Sequence, residues 1–361
     1  MILLIRPADK CLEFCKCENG EFLVEKVFAY AKEINAYIEG IENISGLTGI
    51  GFLLVHGGEI FNDPVSLVDK TALAKLETCT GFSPEQNGLI LTVAKIFFEK
   101  LSAVPQFLLC DTAYFSDLPD EASIYAVPYT LRGQGIKRYG GYGLIHEWVW
   151  NSAVKCLDGK VDSIISVYLG DTSNMALIEK GRPLETSIGF TSIEGVLSCS
   201  GCGDIDSTIV FQLLSTGMSF QEIYRLLSEE SGFSGLYGKE CHYSDLFSEG
   251  SNDKISKVKK KLEYDIIKNI GAFVSLSGGV DVITFFVNSF KESDSFIKTI
   301  CEALKFLGIN RVKQPEYFSG ENSLSEITDN ASKVKVLVAE KKQWEIMAQG
   351  IDQRLKKGDI K

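Results

Sequence analysis

Two kinds of apolar pattern alternate along the chain, and their order carries most of the fold. Residues 2–6 and 11–17 alternate apolar and polar positions around the turn Pro7-Ala8-Asp9-Lys10, and residues 22–29 continue the pattern. This predicts an antiparallel meander. Residues 50–55 form an unbroken apolar run ending in His56-Gly57-Gly58. Such a run predicts a parallel strand buried on both faces, with a glycine turn at its end. Residues 65–76 and 89–101 carry apolar positions at helical spacing, and 107–110 is a short apolar run that stops at Asp111. A carboxylate just past the C-terminal end of a strand is where open α/β sheets place functional groups.

Past a glycine-rich loop at 133–143, GQGIKRYGGYG, a helix is expected from about Ile145, carrying Trp148, Trp150, Val154 and Leu157. The plan then starts over. Residues 161–169 read as a strand, Gly170-Asp171-Thr172-Ser173 as a turn and 175–178 as a return strand. Helices are expected at 209–227 and 255–270 around a loop at 231–243. A strand at 280–287, whose apolar run matches that at 50–55, a helix at 295–307, a strand at 335–338 and a helix at 342–355 follow. The repetition predicts an α/β protein of two domains with one topology, 1–150 and 151–341, the segment 342–361 packing back on the first.

Between the halves lies the stretch 185–206, ETSIGFTSIEGVLSCSGCGDID. Gly189, Gly195, Gly201 and Gly203 allow positive φ or close backbone approach there, and a long loop so built is normally a site. Its Cys199-Ser200-Gly201-Cys202 and the cluster Cys11, Cys15 and Cys17 have no mate at structural-zinc spacing, so buried thiols and no metal ligands are expected.

Composition narrows the classes. The 361 residues, 45% hydrophobic and 24% charged, fit a globular protein of two domains. A net charge of -11 argues against a nucleic-acid surface. It leaves phosphate ligands open, because backbone N–H groups bind anions in acidic proteins too. No apolar run approaches the roughly 18 residues of a membrane span, and MILLIRP lacks a basic region before its apolar residues, so a cytoplasmic location is expected.

Two α/β halves, each with a strand–turn–strand, are the plan of the sugar kinase–actin superfamily, of duplicated actin/ribonuclease H-like topology around a central cleft. Several segments, in order, resemble the acetate kinase family of carboxylate kinases: IGFLLVHGGEIF (50–61), CDTAYFSDLPDEASIYAVPY (110–129) and GIKRYGGYGLIH (135–146). So do YLGDTSNMALIEKGRPLETSIGFTSIEGV (168–196), GDID (203–206), NIGAFVSLSGGVDVITF (269–285) and KVKVLVAEKKQWEIMA (333–348). The resemblance implies transfer of a phosphoryl group from ATP to a small carboxylate such as acetate, propionate or butyrate, with magnesium, in a homodimer. It assigns catalytic roles to Asp111, His146 and Tyr142, substrate contacts to Val55, His56, Gly57 and Arg138, and nucleotide contacts to Gly170, Asp171, Thr172, Gly203 and Asp204.

Several positions depart from the family pattern. The two arginines that stabilise the transferring phosphoryl correspond to Leu53 and Gly201, and a phosphoryl-binding histidine corresponds to Tyr142. The asparagine ahead of the first phosphate turn corresponds to Arg6, followed by Pro7-Ala8-Asp9-Lys10. The second turn reads Gly170-Asp171-Thr172, the nucleotide loop reads Asn288-Ser289-Phe290-Lys291-Glu292, and the magnesium carboxylate falls at Gln343 or Trp344. The walls of the acetate pocket become Glu85, Gly141 and Ser192. Loss of several phosphoryl-handling groups together is expected to cost orders of magnitude in rate. Two readings follow: a catalytically degenerate member with a binding or regulatory role, or an active carboxylate kinase with altered substrate and rebuilt phosphate contacts. On a bland reading, His56 is a core histidine bonded to backbone, Asp111 a cap, and Asp204 and Asp206 caps of the following helix.

Overall fold

The computed structural model describes residues 1–8, 11–28, 30–40, 46–248, 253–310, 324–340 and 343–357. Asp9 and Lys10, expected in the first turn, lie outside the described residues. The chain opens with β1 (Ile2–Ala8), β2 (Cys11–Glu18) and β3 (Glu21–Phe28), an antiparallel meander, then α1 (Ala31–Glu39). Next come β4 (Gly49–Leu54), β5 (Val65–Leu67), α2 (Lys70–Cys79), α3 (Pro84–Lys100) and β6 (Gln106–Cys110). Two single-turn helices, α4 (Asp120–Ser123) and α5 (Tyr129–Arg132), lead to α6 (Gly143–Cys156). A second meander follows, β7 (Ser163–Leu169), β8 (Asn174–Glu179) and β9 (Arg182–Thr186). After it stand α7 (Thr208–Ser215), α8 (Phe220–Ser228), α9 (Gly232–Tyr237) and α10 (Asp253–Ser277). The chain continues through β10 (Val282–Val287), α11 (Phe290–Ala303), β11 (Leu324–Glu326), β12 (Lys335–Glu340) and α12 (Gln343–Lys357).

The strand orders repeat. One sheet runs β3-β2-β1-β4-β6-β5 and the other β9-β8-β7-β10-β12-β11. In each, an antiparallel meander continues through two parallel strands to an antiparallel edge. The unbroken apolar runs become the central strands β4 and β10, buried at every position. On one face of β4, Phe52 and Leu54 join a core with Phe14, Ile90, Val93 and Phe97. On the other face Gly51 lets α12 come close, because a Cβ there would stand 2.4 Å from Ile351 Cδ1 and force that side chain to shift.

Two expectations are revised. Residues 65–67 are an edge strand rather than the start of a helix, because their backbone pairs with β6; the helix begins only where Asp69 accepts Ala72 N at 2.6 Å. The helix expected at 209–227 is two, broken at Gly217 in the left-handed region and restarted by a capping box between Ser219 and Glu222.

The chain divides into two compact units. Unit 1 holds residues 1–116, 141–145 and 342–361 with the first sheet, and unit 2 holds 117–140 and 146–341 with the second. None of the ten cysteines is in a disulfide. No helix among the described residues is long and apolar enough to cross a membrane.

Candidate functional site

In unit 1 the candidate residues gather at the C-terminal ends of β4 and β6. The chain turns after β4 through His56-Gly57-Gly58, and Gly57 N donates to Thr112 Oγ1 at 2.9 Å. A Cβ at Gly57 would fall 2.4 Å from Cys110 Sγ, so only glycine fits. His56 is buried, its Nδ1 accepts Gly58 N at 3.1 Å, and its ring stacks on Phe82 at 4.6 Å. Asn87 Nδ2 donates to its carbonyl at 2.8 Å. These bonds are those of a core histidine. Val55, one residue earlier, is half-buried.

Asp111 follows β6 and ties the start of α6. Its backbone carbonyl accepts Gly143 N at 2.8 Å, and its carboxyl takes a hydrogen bond from the Leu144 backbone. Gly143 has to be glycine, since a Cβ would meet the Asp111 carbonyl oxygen at 2.5 Å. Tyr142, just before it, is half-buried and sits at φ 59, an uncommon conformation for an aromatic residue. Burial pushes the Asp111 carboxyl up to about 7, opposed by the Leu144 bond and the Arg6 charge. Its Oδ1 has no hydrogen-bond partner among the described residues.

Arg6 is held by neighbours of its own unit. Its guanidinium pairs with Glu13 Oε2 at 2.7 Å, donates to Gln343 Oε1 at 2.8 Å and lies over the Trp344 ring at 4.6 Å. Magnesium demands hard oxygen ligands, carboxylates foremost. Gln343 is uncharged and Glu13 is already paired with a cation. This leaves Asp111, whose Oδ1 has no partner among the described residues, as the one carboxylate of this group that fits a magnesium ion.

In unit 2 the turn after β7 closes on itself. Gly170 N donates to Ser173 Oγ at 3.4 Å, and Ser173 Oγ donates back to the Gly170 carbonyl at 3.1 Å. Thr172 is half-buried, with its carbonyl toward Asn174 Nδ2 at 3.5 Å. Asp171 Oδ1 accepts Tyr243 N at 2.8 Å. The nucleotide-loop segment 288–292 opens α11, and there Phe290 N donates to Glu340 Oε2 at 3.1 Å. A helix N-terminus is a ready anion site; in this chain Glu340 fills it. These residues do not fit the phosphates of a nucleotide.

His146 is fully buried, bonded through Nδ1 to Ser166 Oγ at 2.8 Å and through Nε2 to Asn174 Oδ1 at 2.7 Å. The Asn174 oxygen only accepts, so Nε2 carries the proton and Nδ1 accepts the Ser166 hydroxyl. Desolvation lowers its pKa to about 4, so the ring is neutral. It ties β7 to β8.

Arg138 is equally committed. It pairs with Glu185 Oε1 at 2.6 Å, donates to the Thr186 carbonyl, and has Glu194 Oε1 3.9 Å from Nε. Tyr125 donates to Glu194 and accepts Phe190 N at 2.8 Å. A Cβ at Gly189 would collide with Glu194, and Gly195 sits at φ 121 with the Ser187 carbonyl 2.3 Å from where its Cβ would be. Asp204 Oδ1 closes the loop on Gly195 N at 3.0 Å, and Gly203 has φ 67. Asp206 Oδ1 accepts Thr208 N at 2.8 Å at the start of α7. A Cβ at Gly201 would stand 2.9 Å from Ser198 Oγ, which is bonded to Gly201 N at 3.0 Å.

Sequence reasoning passed over His242 and Tyr125 and did not assign Glu340 its role. Glu340 had a signal in its position, at the end of a central strand. The other two had none, since their partners are 71 and 69 residues away.

Two sheets of one strand order, with polar residues collected past the C-terminal ends of the central strands, define the duplicated actin-like class of α/β proteins. Within that class the chain belongs to the acetokinase family, whose model matches residues 11–349. The acetate kinase of Clostridium novyi (strain NT) is 31% identical over 327 residues, 89% of this chain and 81% of that protein. The acetate kinase structure from Entamoeba histolytica superposes with a TM-score of 0.85 at 22% identity, covering 98% of each chain. That from Porphyromonas gingivalis gives 0.83 at 23% identity, covering 97% of this chain and 98% of its own. The expected family and duplicated fold are thereby shown.

Proposed function

We propose that this acetokinase-family chain is catalytically degenerate as an ATP:carboxylate phosphotransferase and uses the family frame for binding or regulation. One observation carries the reading: the groups that would meet phosphate are bonded to the chain's own carboxylates. Glu340 takes Phe290 N, Glu13 holds Arg6 and Glu185 holds Arg138. Phosphoryl transfer rests on positioned cations and N–H donors, so their internal neutralisation removes the main source of rate. Leu53 adds a buried apolar residue where the resemblance implies a cation. His146, with both ring nitrogens bonded, is proposed to position β7 against β8 rather than to touch substrate.

The test is acetyl phosphate formation from acetate and Mg-ATP, with propionate and butyrate alongside, together with thermal unfolding in the same ligands. The expected result is no acyl phosphate at a family-like rate and no shift with Mg-ATP. A ligand at 100 times its Kd would add about 2.7 kcal/mol. Gly201→Arg alone is expected to restore nothing, because Leu53 still withholds a cation and Ser198 Oγ crowds the new side chain. Acyl phosphate made at an ordinary family rate overturns the proposal.

A second reading, an active phosphotransferase with an altered acceptor, is favoured by Asp111 alone. Its carboxyl is buried, retained and left with an open oxygen. A thermal shift with another nucleotide or with pyrophosphate supports that reading instead. A homodimer is proposed through α7 and α8, where Ile205, Ile209, Phe211, Leu214, Phe220 and Tyr224 leave apolar surface exposed.

A further inference from the structure

Asp171, Cys199 and His242 come from three separate loops of unit 2, and their ligand atoms lie within 4.8 Å of one another. His242 Nδ1 is 3.2 Å from Asp171 Oδ2 and 3.9 Å from Cys199 Sγ. In a tetrahedral zinc site, bonds of about 2.0–2.3 Å place the ligand atoms about 3.3–3.6 Å apart. The two separations at His242 lie within a few tenths of an ångström of these values. The third, within 4.8 Å, closes if the Cys199 thiol leaves the Cys241 carbonyl to which it donates at 2.5 Å.

Each ligand is also oriented from behind. Asp171 Oδ1 is occupied by Tyr243 N at 2.8 Å, which turns Oδ2 toward the cluster. Cys199 N donates to the Asp171 carbonyl at 2.6 Å, tying the two ligand-bearing backbones together. Phe233 N and Ser234 N fix the loop by donating to the Ser198 and Cys199 carbonyls at 2.8 and 3.0 Å. His242 N donates to Asp245 Oδ2 at 2.8 Å, and its Nε2 faces Glu240 Oε1 at 3.3 Å.

Both ring nitrogens thus face a carboxylate, Asp171 on one side and Glu240 on the other. A carboxylate behind a histidine holds the proton on the far nitrogen and frees the near one to coordinate, as metal-binding histidines commonly require. With Nε2 protonated, the Nδ1 lone pair confronts a carboxylate oxygen, and two acceptors at hydrogen-bond distance call for a positive charge between them. A proton or a metal ion supplies it. The thioether-free, sulfur-containing donor set of one thiolate, one imidazole and one carboxylate suits zinc better than magnesium or calcium.

We propose that Asp171 Oδ2, Cys199 Sγ and His242 Nδ1 form a zinc site, with the fourth tetrahedral position open to water or an anionic ligand. On binding, the Cys199 thiol gives its proton to solvent and the thiolate sulfur donates its electron pair to the ion; nothing is oxidised or reduced. Three protein ligands with one open position distinguish the site from a closed structural one. Cys202, the other cysteine of the C-x-x-C, takes no part: its backbone N donates to the Leu227 carbonyl at 2.8 Å, and its Sγ to the Gly203 carbonyl at 3.3 Å.

The full chain, stripped with a chelator and dialysed against zinc, is expected to retain one zinc per chain in competition with a chromophoric chelator. Cys199→Ser and His242→Ala are each expected to weaken zinc binding at least about tenfold, and Cys202→Ser to leave it unchanged. Cobalt in place of zinc is expected to show a thiolate charge-transfer band that Cys199→Ser abolishes. His242 is exposed, so His242→Ala keeps the test open if Cys199→Ser fails to fold. The proposal is overturned if no stoichiometric zinc is held. It is equally overturned if binding is unchanged in both variants, or if it depends on Cys202 and not on His242.

Discussion

The two units share a strand order but treat their strand ends differently. Unit 1 leaves a buried carboxyl at Asp111 with an oxygen that no described residue satisfies. In unit 2 the strand-end groups are bonded within the chain: His146 is bonded through both nitrogens, Asp171 holds Tyr243 N, and Glu340 holds the first turn of α11. Elsewhere in that unit Arg138 Nε and Thr284 Oγ1 are buried without a hydrogen bond among the described residues. A buried polar group without a partner costs stability and persists where another demand keeps it. The contrast marks Asp111 as the strand-end group whose oxygen the described residues leave unsatisfied.

The largest effect that would break this comparison is at His146. His146→Ala leaves Ser166 and Asn174 without their shared partner inside the core, and is expected to cost about 3–5 kcal/mol. Urea unfolding measures it, and a loss under 1 kcal/mol would show that His146 is not a structural tie. Its neutral form is favoured in the fold, with a pKa near 4 against 6.5. Its contribution is therefore present above about pH 6.5 and is lost as pH falls through 4.

Asp111 is next, and its sign is opposite. Its folded pKa of about 7 stands above the ordinary 3.8, so the native state holds a proton that the unfolded state releases. Stability from this group falls as pH rises from about 4 to 7. Asp111→Asn is expected to be near neutral at pH 5 and to stabilise by roughly 1–3 kcal/mol at pH 8. Thermal melts across that range check it, and equal effects at both ends would contradict the burial of an unsatisfied carboxyl. The smallest effect is Glu340→Gln. It is expected to cost about 1 kcal/mol by weakening the charge at the start of α11. It should also make the melting temperature respond to inorganic phosphate, which the unaltered chain should not do.

The fold was largely legible because its signals are local. The unbroken runs at 50–55 and 280–287 mark strands buried on both faces, and the glycines after them leave few alternatives. Residues 65–67 were misread because pairing with β6 overrides a helical spacing over so short a span. The candidate site was legible as a set of positions and not as a set of partners. Arg6 stands out in the sequence, but Gln343, 337 residues away, decides what it does. The C-x-x-C at 199–202 was expected to supply only buried thiols, whereas the loop turns a half-buried Cys199 toward Asp171 and His242. Long-range convergence of that kind leaves no periodicity to read.

The helix α12 has a consequence for how the protein is made. Ile351 is fully buried and lies on Gly51 of β4, so the first sheet acquires one of its covering helices only from residues 343–357. Unit 2 occupies the sequence between the two ends of unit 1. Domains fold as units while synthesis proceeds. Unit 2 is thus translated before the helix that covers the β4 face, and the first sheet to be translated is the last to be sealed.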